Sequence, residues 1–179
     1  MHGLIHTGLQ KFVEASYGAE GWKTLVARAG LEGEIFTPLG SYPDEHLVAL
    51  VREAEALTGL TATMLLEAFG EFIVPTYLTL YGSLLKPEWR TLDVVEHTEE
   101  TVHRVVRMRH PGAEPPRLKT KRTAPHEVVL TYDSPRKLCA VARGIVRGVA
   151  KRFSERIHMD DQRCMLRGDP ACVIAFRRV

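Results

Sequence analysis

The 179-residue sequence has no run of 18 uncharged apolar residues, so no segment is built to span a bilayer. Nor is one sign of charge in excess. Lys and Arg number 24 against 22 Asp and Glu, and a formal net charge of +2 leaves no electrostatic footprint for nucleic acid. The local clusters Lys119-Thr-Lys-Arg122 and Arg147 to Arg152 read as solvated faces. The first residues run directly into an amphipathic pattern without the charged and apolar zones of a secretory leader. Cysteine is scarce; three, an odd number, exclude a fully paired disulfide framework and fit a reducing cytoplasm. Repeats, low-complexity tracts and long linkers are absent, as are HExxH, a facial triad and paired carboxylates.

What is present is ordinary in bulk. An apolar fraction of 45% and a charged fraction of 26% predict one globular domain over 1–179 with a substantial core. Leu4, Ile5, Leu9, Phe12 and Val13 recur at helical spacing before Gly18, and a short helix from Trp22 to Ala29 stops at Gly30. Pro43-Asp44 opens a helix through Leu57. Thr61 or Thr63 caps the next, which carries Met64, Leu65, Leu66, Phe69, Phe72 and Ile73, and Pro75 should kink or end it. Trp89 to His110 reads as one helix with Val95, Val102 and Val106 inward, stopped by Pro111-Gly-Ala-Glu-Pro115-Pro116. Beyond it come strands at 117–123 and 126–132, a helix from Arg136 to Phe153, and strands near 155–162 and 171–177. The expected architecture is α+β: a helical N-terminal part joined to a mixed C-terminal part with a small antiparallel sheet.

The most informative local run is Tyr132-Asp-Ser134-Pro-Arg136, where a strand hands over to a helix. With Ser134 as N-cap and Pro135 at the first helical position, two hydroxyls and a guanidinium share a helix N-terminus with unpaired N–H groups. That combination suits carboxylates or a phosphate. The alternative is an ordinary cap beside a solvated arginine.

Seven histidines, His2, His6, His46, His97, His110, His126 and His158, lie at ends, in loops or on polar faces. His103 is mid-helix on the border of the apolar stripe, eight residues after Val95 and three before Val106. A neutral imidazole there can ligate a metal, or it is a partly buried histidine satisfied by a backbone carbonyl. A lone protein ligand points away from zinc, which takes three or four, and toward haem, where one axial histidine suffices. Haem also accounts for the anion motif, since its propionates need charge-assisted partners and its porphyrin an apolar cavity. Ile5, Leu9, Phe72, Ile73, Val141 and Ile145 are candidate walls.

On Met1-x-Gly3-x-Ile5, His103, Pro115-Pro116-Arg117-Leu118 and Tyr132-x-Ser134-x-Arg136, the chain resembles the haem-nitric oxide/oxygen binding (H-NOX) domains, of the stand-alone bacterial type, related to the haem domain of soluble guanylate cyclase. The resemblance covers almost the whole chain. It implies a distal helical subdomain (1–60), a proximal mixed subdomain (61–179) with a four-stranded antiparallel sheet, and haem b between them. It makes His103 the axial iron ligand, assigns Tyr132, Ser134 and Arg136 to the propionates, and has Pro116 press on the porphyrin. Oxygen-binding members place a tyrosine on the helix after the propionate motif. Val141 stands there here, so the expectation is a nitric oxide sensor, open to carbon monoxide but excluding oxygen, with Tyr77 and Tyr81 as side chains that could enter the pocket from elsewhere. Signalling by release of His103 would act on a partner in trans, a histidine kinase or a cyclic-dinucleotide enzyme, because the chain ends at Val179 after its last strand. No catalysis is expected.

A subset of the resembled family carries zinc on three cysteines and a histidine. Cys139, Cys164 and Cys172 match the thiols, but Asp161 stands at the histidine position and His158 is the nearest histidine. Zinc on the three cysteines with Asp161 or His158 is the expectation, against three separately buried core cysteines. A thiol/zinc redox sensor with haem secondary is the alternative function.

Overall fold

In the computed structural model, which describes residues 1–110 and 112–179, the N-terminal half is helical: α1 (Gly3–Arg28), α2 (Asp44–Thr58) and α3 (Ala62–Tyr81). Pro111, expected to stop the fourth helical segment, lies outside the described residues. The two helices expected on either side of Gly18 meet at a kink there, within α1, because Gly18 takes φ 74°, a conformation that costs glycine little. Thr61 rather than Thr63 caps α3, its hydroxyl accepting from the Met64 N–H at 3.3 Å. Pro75 does not end α3, which continues to Tyr81. Proline in a helix forfeits one hydrogen bond at about 3 kcal/mol. Here burial of Phe69, Ile73, Val74 and Tyr81, before and after Pro75, outweighs that loss.

The helix expected over Trp89 to His110 is segmented. It comprises α4 (Thr91–His97), a π-helical turn at Glu99–His103 in which the His103 N–H reaches the Thr98 carbonyl at 3.0 Å, and α5 (Arg104–Arg109). Such widened turns recur at functional positions. His6, read as a polar-face residue, is completely buried and stacked on Phe36 at 4.7 Å. Burial lowers its pKa to about 4, so the ring is neutral.

The C-terminal half supplies β1 (Arg117–Ala124), β2 (Glu127–Asp133), α6 (Cys139–Arg152), β3 (Ile157–Arg163) and β4 (Cys172–Arg178). The strands form one antiparallel sheet in the order β1-β2-β4-β3. Alternation in β2 turns Val128, Leu130 and Tyr132 to the buried face. There Val128 and Leu130 meet Ile174 and Phe176 of β4, Leu92 and Val95 of α4, and Val146 of α6. A second core joins Leu9 and Val13 of α1, Leu47 and Leu50 of α2, and Phe69 and Ile73 of α3 to Val141 of α6.

The two halves are joined where α3 crosses α6 backbone to backbone. A Cβ added at Gly144 would lie 2.0 Å from the Glu67 carbonyl oxygen, and one at Gly70 would lie 2.3 Å from that of Val141. At Gly82, by contrast, an added Cβ meets nothing within 4 Å. Gly144→Ala is therefore expected to lower unfolding free energy by about 1–3 kcal/mol, while Gly82→Ala changes it little. Urea midpoints of the two variants, compared with the parent, check this.

Candidate functional site

The anion motif is not where the sequence placed it relative to α6. That helix begins at Cys139, not at Arg136, so Ser134 is not its N-cap. Ser134 instead opens a β-turn: its carbonyl accepts from the Lys137 N–H at 3.0 Å and its Oγ from the Arg136 N–H at 3.3 Å. Lys137 has φ 52°, which breaks any helical run before Leu138. The anion-binding capacity of the run thus rests on its side chains and turn, not on free N–H groups of the helix.

Those side chains face a cavity of about 290 Å³ between α3, α4, α5, α6 and the sheet. Tyr132, Ser134 and Arg136 line it, together with His103, Pro116, Ile5, Tyr77, Val141 and Ile145. Three expected walls do not. Leu9 belongs to a separate apolar cavity among α1, α2 and α3, Ile73 is packed in the N-terminal core, and Phe72 is 38% exposed. Leu9 and Ile73 fell on the apolar stripes of their helices, but those stripes are spent on helix–helix packing. The cavity is lined instead by residues farther along: Leu4 on α1, and Val74, Leu78 and Tyr81 on α3.

His103 enters this cavity from the π-turn. Its Nδ1 lies 3.0 Å from Glu99 Oε2, which also accepts from the Leu118 N–H at 3.1 Å, while Glu99 Oε1 accepts from Arg107 at 2.6 Å. Burial would raise the Glu99 pKa, but the hydrogen bonds from His103, Arg107 and Leu118 hold it below the ordinary carboxylate range. Burial is the largest influence on His103 and lowers its pKa despite Glu99 beside it, so the imidazole is neutral at pH 7. A carboxylate on Nδ1 favours the Nδ1–H tautomer and leaves Nε2 as a lone-pair donor. Sequence reasoning missed Glu99. The signal was a carboxylate four residues before a histidine on one helix face.

Arg136 is the second surprise. Its Nε pairs with Asp44 at 2.8 Å, and its Nη1 donates to the Glu114 carbonyl at 2.7 Å. Asp44, in the first turn of α2, thereby ties the helical half to the motif, and nothing local in its sequence marked it. An imidazole held by Glu99, an apolar gallery, and a polar end carrying Tyr132, Ser134 and Arg136 form a donor set that suits haem.

Tyr77 and Tyr81 both line the cavity, their ring centroids 6.2 Å apart. Burial pushes the pKa of Tyr77 up strongly and that of Tyr81 up as well, so both carry neutral hydroxyls.

The thiols converge as expected. The sulfurs of Cys139, Cys164 and Cys172 all lie within 4.8 Å of one another, and all three residues are buried. Neither expected fourth ligand joins them. Asp161 is engaged by Arg143 at 3.1 Å, and His158 pairs across the sheet with Arg177, five residues beyond Cys172 on β4. The residues present therefore do not fit a four-ligand zinc site. Arg143, also missed, is only 8% exposed and donates from Nε to Glu67 at 2.6 Å.

Among solved structures the fold is shared with H-NOX proteins. An H-NOX protein from S. oneidensis in its Fe(II)NO state superposes with a TM-score of 0.93 at 21% identity, covering 100% of this chain and 99% of that one. The unliganded Fe(II) H-NOX protein from K. algicida does so at 0.87 and 20%, covering 100% and 97%. By sequence, soluble guanylate cyclase 89Da of Drosophila melanogaster is 20% identical over 137 residues, or 76% of this chain, which spans only 20% of that relative's length. The profile of the Haem-NO-binding family matches residues 2–161, and the chain belongs to that family.

Glu67 also accepts from Arg147, at 3.0 Å, and these two ion pairs hold its pKa below the ordinary 4.5 against the opposing effect of burial. A depressed folded-state pKa contributes stability that is complete above 4.5 and lost as pH falls through the lower folded value. Unfolding free energy is expected to decline below about pH 4.5 and to do so less steeply in Glu67→Gln, as measured by urea titrations across that range.

Proposed function

We propose that the protein is a haem-based nitric oxide sensor that excludes oxygen and regulates a signalling partner in trans. The observation that carries this reading is His103: a neutral imidazole, fixed through Nδ1 by Glu99, lines a cavity whose polar end is Tyr132, Ser134 and Arg136.

A ferrous haem, if bound, would supply an iron able to take nitric oxide, and His103 would be the residue whose hold on it changes. The chain's own residues do the rest. Tyr132, Ser134 and Arg136 anchor the propionates, Arg136 exchanging part of its pairing with Asp44 for them, and Pro116 bears on the macrocycle. His103 would hold the iron. Val141, Ile145 and Ile5 are aliphatic and offer no donor to bound oxygen, which leaves Tyr77 and Tyr81 as the tyrosine hydroxyls to test, whereas nitric oxide needs no donor. Carbon monoxide is a second ligand on the same grounds. We further assign residues 1–60 to a distal subdomain and 61–179 to a proximal one, meeting across the pocket.

Release of His103 is transmitted by Glu99. That carboxylate holds His103, Arg107 and the Leu118 N–H at once, so a shift of the ring alters the register between the α4–α5 segment and β1. Such a shift becomes a signal when a partner binds the two arrangements differently. A histidine kinase or a cyclic-dinucleotide enzyme fits that role, and no catalytic step is assigned to the domain itself.

Air added to the reduced, haem-loaded protein is expected to leave its visible spectrum without an oxygen-bound form, in Tyr77→Phe as in the parent. A stable oxygenated spectrum that disappears in Tyr77→Phe would overturn the exclusion of oxygen. For the trigger, His103→Gly with free imidazole separates the ring from the backbone. Nitric oxide should accelerate amide exchange at Leu118 in the parent and leave it unchanged in the variant. Equal acceleration in both would show that release of His103 is not the switch.

A further inference from the structure

The thiol cluster has three ligands and a guanidinium beside one of them. Cys139 opens α6, Cys164 follows β3 and Cys172 opens β4, which brings the Cys139 and Cys164 sulfurs to 4.0 Å. Arg143 lies one helical turn after Cys139 and puts Nη1 3.9 Å from its sulfur. The same nitrogen holds Asp161, and Nε holds Glu67. Among the described residues no other His, Cys, Asp or Glu brings a ligand atom into the cluster. Its apolar neighbours are Tyr132, Leu118, Ala142 and Met165; the Met165 N–H donates to the Cys172 sulfur at 3.3 Å, and Asp169 accepts from the Cys164 N–H at 2.7 Å.

Charge decides which ion suits three buried sulfurs. Three thiolates around a monovalent ion carry a net charge of −2, and around a divalent ion −1. Arg143 offsets only part of either charge, because Asp161 and Glu67, the latter shared with Arg147, already engage it. An uncompensated buried charge is costly. A trivalent ion leaves the site neutral, and one with a stereochemically active lone pair is satisfied by three sulfurs. We propose that Cys139, Cys164 and Cys172 form a three-sulfur site for a trivalent thiophilic metalloid of the arsenite class, rather than for zinc.

Binding is a condensation. Three thiols and one As(OH)3 form three As–S bonds and break three As–O bonds; the thiol protons leave with the hydroxyls as three waters. No electrons are transferred and no net charge enters the site. Cys164, 8% exposed, is the least buried of the three thiols and lies two residues before Leu166, which is 60% exposed. Tyr132 touches both the cluster and the cavity, so occupancy is felt at the anion-binding end of the pocket.

The test uses the full chain as purified, reduced, with sodium arsenite and zinc chloride offered separately and then together. Expected is one arsenic retained per chain after desalting, with all three thiols lost to a native thiol titration and recovered on adding excess dithiol. Zinc offered alone should be stripped by a weak chelator and should not block arsenite. Single Cys→Ser variants should weaken arsenic retention by about tenfold or more, and Arg143→Ala with Asp161→His should gain chelator-resistant zinc. Stoichiometric zinc that resists the chelator and excludes arsenite in the parent would overturn the proposal, as would arsenite capture that leaves one of the three thiols titratable. The thiol count on the parent chain stands even if a variant fails to fold.

Discussion

The contact on which the rest of the structure depends is the crossing of α3 over α6. Gly70 and Gly144 let two backbones meet at a distance no side chain would allow, and Gly148 extends the approach toward Val74. Once the helices are held there, Val74, Leu78 and Tyr77 of α3 and Val141, Ile145 and Val149 of α6 are turned toward the same interior space. The cavity is what remains between a helical layer that packs on α3 and a sheet that packs on α4 and α6. Arg143 and Arg147 grip Glu67 across the same crossing, so polar and close-packed contacts reinforce each other.

A second constraint sits at the π-turn. Widening the helix between Thr98 and His103 places an imidazole over the cavity while its far nitrogen stays bonded to a carboxylate on the same segment. Glu99 is neither free nor idle, because it also carries the first N–H after the β1 entry, that of Leu118. One carboxylate thus couples the orientation of His103 to the edge of the sheet. This converts a residue on a helix into an element able to report its own displacement.

Much of this was legible in the residues. The four strands, their antiparallel pairing and the buried face of β2 follow from β-branched alternation and short turns between runs, and the sequence bounds missed the strand ends by only a residue or two. His103 stood out because it lies mid-helix on the border of an apolar stripe. The Tyr-x-Ser-x-Arg run stood out because it concentrates donors, although its helix began three residues later than its local chemistry indicated. Pro75 read as a stop because local sequence carries the cost of a missing N–H and not the packing that offsets it. Leu9 and Ile73 read as pocket walls because an apolar face does not reveal which neighbour covers it.

What the sequence by itself determined are the things that depend on near neighbours in the chain: the periods that make helices and strands, the concentration of donors at Tyr132, Ser134 and Arg136, and the absence of any charge excess or membrane-length helix among the described residues. What only the tertiary structure decided are the partners that come from far along the chain. Asp44 reaches Arg136 across 92 positions, Glu67 reaches Arg143 across 76, and the three cysteines meet across 33. Those pairings depend on where α2, α3 and the sheet stand relative to α6. That placement follows from glycines whose importance lies in the backbone they admit, which no periodicity records.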